Sequence, residues 1–182
     1  YAQSGWITGH IKETFKSPFP ALDVRRRNKP VETDTVYSDT PAIDDGSTCA
    51  QFFVGVNTKF SDVYGMTTDS QFVNTLSDVI RRRGAMDLLI SDRAQVKISK
   101  RVQDILRHLY INDWQSELHY QHQNAAERRF KHVKEKTNQV LNMTNAPAYC
   151  WLLCMTYVCF IMNRLALPSL QWRTPYEKLM GS

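Results

Sequence analysis

The run Cys49-Ala50-Gln51-Phe52-Phe53-Val54-Gly55-Val56 is almost continuously apolar and of strand length, and the turn formers Asp44-Asp45-Gly46-Ser47 precede it. Two further strand patterns flank it. Residues 31–39, with Thr33, Thr35, Val36 and Tyr37, suit a strand, and residues 60–66 read as a third. Short connections among the three favour an antiparallel meander.

Helix signals follow. Asp69 or Ser70 can cap a helix carrying Phe72, Leu76, Val79 and Ile80 at 3.6-residue spacing and ending at Gly84. Residues 86–91 predict a short buried strand, 99–108 a helix with Val102, Ile105 and Leu106 inward, and 109–113 a fifth strand. A polar loop over 115–124 leads into a long amphipathic helix reaching about Asn142, and an apolar helix over roughly 147–165 comes next. Three antiparallel strands followed by alternating helix and strand predict an α/β fold with a mixed five-stranded sheet flanked by helices. Residues 1–30 are polar and rich in turn formers; they read as an arm leading into the core or a remnant of an upstream region, with 31–182 as the core. The first residue is Tyr1 rather than Met, so the chain reads as a fragment of a longer polypeptide.

At 182 residues the chain suits one domain that buries its core without staples. The longest apolar run, 148–162, is interrupted by Thr156 and stops at Asn163-Arg164, too short for a membrane span. The four cysteines, Cys49, Cys150, Cys154 and Cys159, lack zinc-site spacing and read as small core residues in a reducing compartment. His119 and His122 have no cysteine nearby, which argues against a structural zinc. The net charge of +5 points to an anionic partner. Basic residues come in runs: Arg25, Arg26 and Arg27 with Lys29; Arg81, Arg82 and Arg83; Lys97 with Lys100 and Arg101; and Arg128 and Arg129 with Lys131, Lys134 and Lys136. A solvated helix face is the expectation for the run beginning at Arg81.

Acidic residues give the last run its meaning. Asp39 ends the first strand pattern and Asp92 the fourth. A helix between strands three and four can bring the fourth beside the first as a parallel neighbour, so both carboxylates would meet at one edge of the sheet. Glu127 falls 35 positions after Asp92, in the first turn of the long helix. Three converging carboxylates make a hard oxygen site suited to magnesium or manganese. Two such ions about 3.5–4 Å apart can serve in-line displacement at phosphorus. Glu127, Lys131 and Lys134 share one helix face at i, i+4 and i+7, beside the apolar stripe Ala126, Phe130, Val133, Thr137 and Val140. The lysines are thus placed to hold phosphates near the metals.

Tyr37-Ser38-Asp39, Leu89-Ile90-Ser91-Asp92 and Gln121-His122-Gln123-Asn124-Ala125-Ala126-Glu127-Arg128, in that order, resemble the integrase catalytic core of retroviruses and retrotransposons. Ser17-Pro18-Phe19-Pro20, Trp151, Asn163-Arg164 and the closing Trp172-Arg173-Thr174-Pro175-Tyr176-Glu177-Lys178-Leu179-Met180-Gly181 resemble its copia-type branch. The resemblance implies a ribonuclease-H-like fold and a Mg²⁺ or Mn²⁺ triad of Asp39, Asp92 and Glu127. It implies two reactions on DNA: water trims the element's 3′ ends, and the freed hydroxyls attack target DNA. Gln123 matches the mobile loop residue beside the active site, and Lys131 and Lys134 match the DNA-binding lysines. Asn124 and Arg128 join them as candidate nucleic-acid contacts. A homo-oligomer without membrane association is implied, acting in the nucleus and carried before that in a cytoplasmic particle. The 34 residues between Asp92 and Glu127 are one fewer than the family's usual spacing. Asp34 is a rival first ligand; five residues from Asp39, it would face the other side of a strand. Asp39 is preferred because its spacing to Asp92 better resembles the family.

Two other functions stand beside this one. A decayed or domesticated core would bind nucleic acid or self-associate without chemistry, and the intact Asp39, Asp92 and Glu127 argue against it. A ribonuclease H would carry a fourth acidic ligand and lack the Thr-Pro-Tyr-Glu close.

Overall fold

The structure, a computed structural model, describes residues 26, 30–91, 99–115 and 123–181, with the side chains of 115 and 123–127 excepted. Strands β1 (Val31–Tyr37), β2 (Cys49–Gly55) and β3 (Ser61–Met66) form the expected antiparallel meander. Strands β4 (Leu88–Ser91) and β5 (Asn112–Gln115) continue the sheet in parallel beside β1, giving the order β3-β2-β1-β4-β5. Parallel neighbours need crossovers. Helix α1 (Phe72–Arg83) lies in sequence between β3 and β4, and α2 (Lys100–His108) between β4 and β5. Helices α3 (Gln123–Thr144), α4 (Trp151–Met162) and α5 (Pro175–Met180) complete the fold.

All seven residues of β2 are buried, because helices cover both faces of the sheet. Successive side chains of a strand point to opposite faces, so the adjacent Phe52 and Phe53 enter different cores. Phe53 packs with Val31, Phe72, Leu76, Leu89 and Val102 on the α1–α2 side. Phe52 packs with Phe130, Val133, Met155 and Val158 on the α3–α4 side, its ring edge-on to Phe130 with centroids 4.8 Å apart.

Four expectations shift. Strand β1 ends at Tyr37, so Asp39 lies beyond it in a bend. Strand β5 starts at Asn112, because Leu109 closes α2 through its N–H to Ile105 O (3.0 Å) and Tyr110 turns the chain at φ 50°. The apolar segment opens with a 3₁₀ turn at Ala148–Cys150 before α4, which stops at Met162. Arg83 is not part of a solvated face. It lies one turn beyond buried Val79 on the same side of α1, pairs with Asp62 through two 2.8 Å bonds, and covers the Phe60 ring at 4.6 Å. Arg81, paired with Asp78, is exposed as expected.

Several residues that carried the sequence resemblance serve the frame. The Asn163 amide makes two buried bonds to the backbone of Ser61, accepting from its N–H (2.9 Å) and donating to its carbonyl (2.7 Å), which locks the end of α4 to the start of β3. Trp151 Nε1 donates to Thr40 O at 2.9 Å. Thr174 and Glu177 form a reciprocal capping box with Pro175 in the first turn of α5, so the Thr-Pro-Tyr-Glu motif is a helix start. Ahead of the sheet, Arg26 donates to Met86 O and Leu109 O and pairs with Asp87 at 3.3 Å. The cysteines are free: Cys49 and Cys159 are buried, Cys150 and Cys154 half-buried. Among the described residues no helix is long and apolar enough to cross a membrane.

Candidate nucleic-acid interface and acidic site

Register decides which face of β1 each acid takes. Asp34 pairs with Phe52 and Glu32 with Val54, so both acids point toward the layer that holds α3. The half-buried Asp34 carboxylate accepts the Thr35 N–H at 2.9 Å and lies 3.8 Å from Lys134 Nζ. Arg128, Phe130, Lys131, Glu135 and Asn138 complete an open cleft of about 780 Å³ around this pair.

The amphipathic pattern of α3 explains the arrangement. Phe130, Val133 and Thr137 are buried and dock the helix on the sheet. Thr137 Oγ1 donates to Val133 O at 2.8 Å, so its hydroxyl is satisfied inside the core. Arg128, Lys131 and Lys134 then fall along the rim of the cleft. Lys131 also lies 3.9 Å from Glu135, one turn on.

The structure therefore brings together Arg128, Lys131 and Lys134 of the candidate contacts, and the acids beside them are Asp34 and Glu135. Asp39 is exposed in a loop drawn elsewhere: Ser38 N–H bonds Thr48 O at 2.9 Å, and Thr40 O is held by Trp151. Asp92 lies outside the described residues. Gln123, Asn124 and Glu127 belong to the first turns of α3, and their side chains also lie outside the described set. Among the described residues no three His, Cys, Asp or Glu side chains converge as a metal site.

Sequence reasoning set Asp34 second to Asp39. Asp34 and Val36 have the same parity, and Val36 packs with the α3–α4 core. It also missed Lys59 and Arg129, which the β2–β3 turn and α3 bring to one groove. No local pattern marks that meeting. Burial, with Arg128 nearby, pushes the Lys59 ammonium below its ordinary pKa, and burial does the same to the Arg129 guanidinium.

No protein-family model matches the chain. The retrovirus-related Pol polyprotein from transposon RE2 of Arabidopsis thaliana is 26% identical over 181 residues, covering 94% of this chain. The chain spans 12% of that polyprotein's length. Among solved structures, the catalytic core domain of BIV integrase superposes with a TM-score of 0.64 at 14% identity, covering 83% of this chain and 93% of that one. The HTLV-2 integrase catalytic core domain in complex with magnesium, in a trimeric form, gives 0.64 at 14% identity, covering 85% and 97%. The chain is homologous to a segment of retrovirus-related Pol polyproteins and has the ribonuclease-H-like fold of retroviral integrase catalytic cores.

Proposed function

We propose that this chain is the catalytic core of a DNA integrase, a divalent-metal-dependent polynucleotidyl transferase that trims the 3′ ends of element DNA and joins them to target DNA. The observation that carries this reading is the meeting of Asp34 on β1 with Lys131 and Lys134 of α3 in one open cleft. We assign the first carboxylate to Asp34 in place of Asp39. In the β1–β4 register Val31 pairs with Leu89 and Glu32 with Ile90, each 58 positions on. The same offset from Asp34 gives Asp92, whereas from Asp39 it gives Lys97. Glu127, one helical turn before Lys131, supplies the third carboxylate.

Carboxylate oxygens are the hard donors that Mg²⁺ or Mn²⁺ takes, so Asp34, Asp92 and Glu127 would hold the metal. Bound there, it would activate the attacking oxygen and stabilise the leaving one. The rest of the work belongs to the chain itself. Arg128, Lys131 and Lys134 bind phosphodiester oxygens and set the position of the scissile strand. The Thr35 N–H fixes the direction of the Asp34 carboxylate. Phe130, buried below, gives the cleft a rigid apolar floor.

Self-association fits the same reading. Leu153, Tyr157, Phe160 and Ile161 are exposed along α4 and supply an apolar surface for a second copy. The test incubates the chain with labelled donor DNA ends and Mn²⁺ and looks for strand-transfer products. Products that vanish in Asp92→Asn, with DNA binding retained, are expected. Binding without any cleavage by the wild type would favour a binding domain that has lost its chemistry.

A further inference from the structure

A second groove, of about 560 Å³, lies beside the Asp34 cleft and shares Arg128, Lys131 and the carboxylate of Glu135 with it, so four cationic side chains there face one acid. Lys59 from the β2–β3 turn, Arg129 and His132 from α3, and Ser169 from the segment after α4 also line it. Its charge is lopsided. Arg129 is nine-tenths buried and donates to neutral acceptors, Nε to Ser61 Oγ at 3.2 Å and Nη2 to Met162 O at 3.1 Å.

Lys59 is held at the lip in a left-handed turn, φ 58°, with Nζ bonded to Val56 O at 2.6 Å. That bond aims a half-buried ammonium at the two arginines. Lys59 and Arg129 are both pushed below their ordinary pKa, by burial first; at Lys59 the neighbouring Arg128 and Arg129 add to it while Glu32 pulls the other way. Positive charge withdrawn from water and outnumbering the acids beside it is costly, and a bound anion relieves it.

We propose that this second groove binds the phosphodiester backbone of DNA through Lys59, Arg129 and His132, so that the duplex is held on both sides of α3. The inference rests on the reading of the chain as a DNA-acting core. Lys131 and Arg128, common to the two grooves, form the crest between them. The Asp34 side then positions the reacting strand, while the Lys59 side adds backbone contacts remote from the acid cluster. Those contacts carry no base information and act through charge alone.

Three variants decide it: Lys59→Asn with His132→Gln, Lys131→Ala with Lys134→Ala, and Arg81→Gln as a surface control. Asn tolerates the left-handed turn and His132 is exposed, so the first pair keeps the fold, which circular dichroism verifies. His132→Gln alone serves if it does not. Affinity for a labelled duplex is measured at several salt concentrations. The Lys59–His132 pair should weaken binding about three- to tenfold near 0.1 M salt and lower the salt slope by about one per lost contact. Wild-type affinity and slope for that pair, with the Lys131–Lys134 pair weakened, would overturn the second groove and leave the core reading standing. No loss in either pair would overturn both.

Discussion

Lys134 Nζ on α3 stands 3.8 Å from Oδ2 of Asp34 on β1. Both side chains are partly exposed, so the pair contributes only about 0.2–1 kcal/mol. An attraction of that size fixes direction without locking the lysine. A phosphate oxygen entering the cleft would draw Lys134 away at little cost.

The two aspartates of the β1 region should behave differently. Asp34→Asn is expected to abolish Mn²⁺-dependent cleavage and strand transfer while DNA binding persists or tightens, because a negative charge leaves a basic cleft. Asp39→Asn should cleave like the wild type. Parallel assays of the two variants on labelled donor ends check the assignment; loss of activity in Asp39→Asn alone would restore the sequence-based choice.

Asn163 should matter for stability out of proportion to its size. Asn163→Ala orphans the N–H and carbonyl of Ser61, two backbone groups buried at the start of β3. A loss of about 2–4 kcal/mol is expected, read as a lower urea midpoint. An unchanged midpoint would mean that water replaces the amide.

The sheet was readable in the sequence because its signals are local. The apolar run around Phe52 and Phe53, the turn formers before it and the 3.6-residue spacing from Phe72 to Ile80 each depend on neighbours along the chain. Strand β5 was misplaced because Leu109 and Tyr110, apolar and aromatic, look like strand residues but close a helix. The Lys131 and Lys134 ridge followed from helical periodicity. The place of Asp39 beyond the end of β1 did not, because no local signal stops the strand at Tyr37. Asp39 would have shared the sheet's geometry had β1 continued past Tyr37. The Lys59 groove rests on contact between residues about 70 positions apart, which no periodicity encodes.

Gly65 should not tolerate a side chain. A methyl group there would come within 2.6 Å of Asp45 Oδ2 and 2.8 Å of Leu152 Cδ2, and would also meet Ser47 Oγ. Gly65→Ala must therefore displace the side chains of Ser47, Asp45 and Leu152. A cost of about 1–3 kcal/mol is expected in thermal unfolding. A variant as stable as the wild type would show that the loop yields freely.

Stability should fall at alkaline pH. Burial, with Asp62 nearby, pushes the Tyr64 phenol from 10.0 up to about 12 and the Cys159 thiol from 9.0 up to about 12. Folded-state values above the unfolded ones mean that this stabilisation is complete below about pH 9 and is lost as pH rises toward 12. Urea midpoints measured across that window should decline. Tyr64→Phe should soften the decline and be harmless near neutrality, since the Tyr64 hydroxyl has no hydrogen-bond partner among the described residues. A flat midpoint through about pH 11 would contradict the burial of both groups.

The strand order β3-β2-β1-β4-β5 also sets a timetable. Strands β1, β2 and β3 are hairpin neighbours, so their pairing closes short stretches of chain. Joining β4 to β1 links Val31 with Leu89 and closes a far longer one. Loop-closure entropy delays such distant pairings. Pulsed hydrogen exchange should therefore protect the amides of β2 and β3 before those of β4. On that schedule Asp34 already stands on an ordered strand, paired with Phe52 across β2, before β4 arrives on the other side of β1.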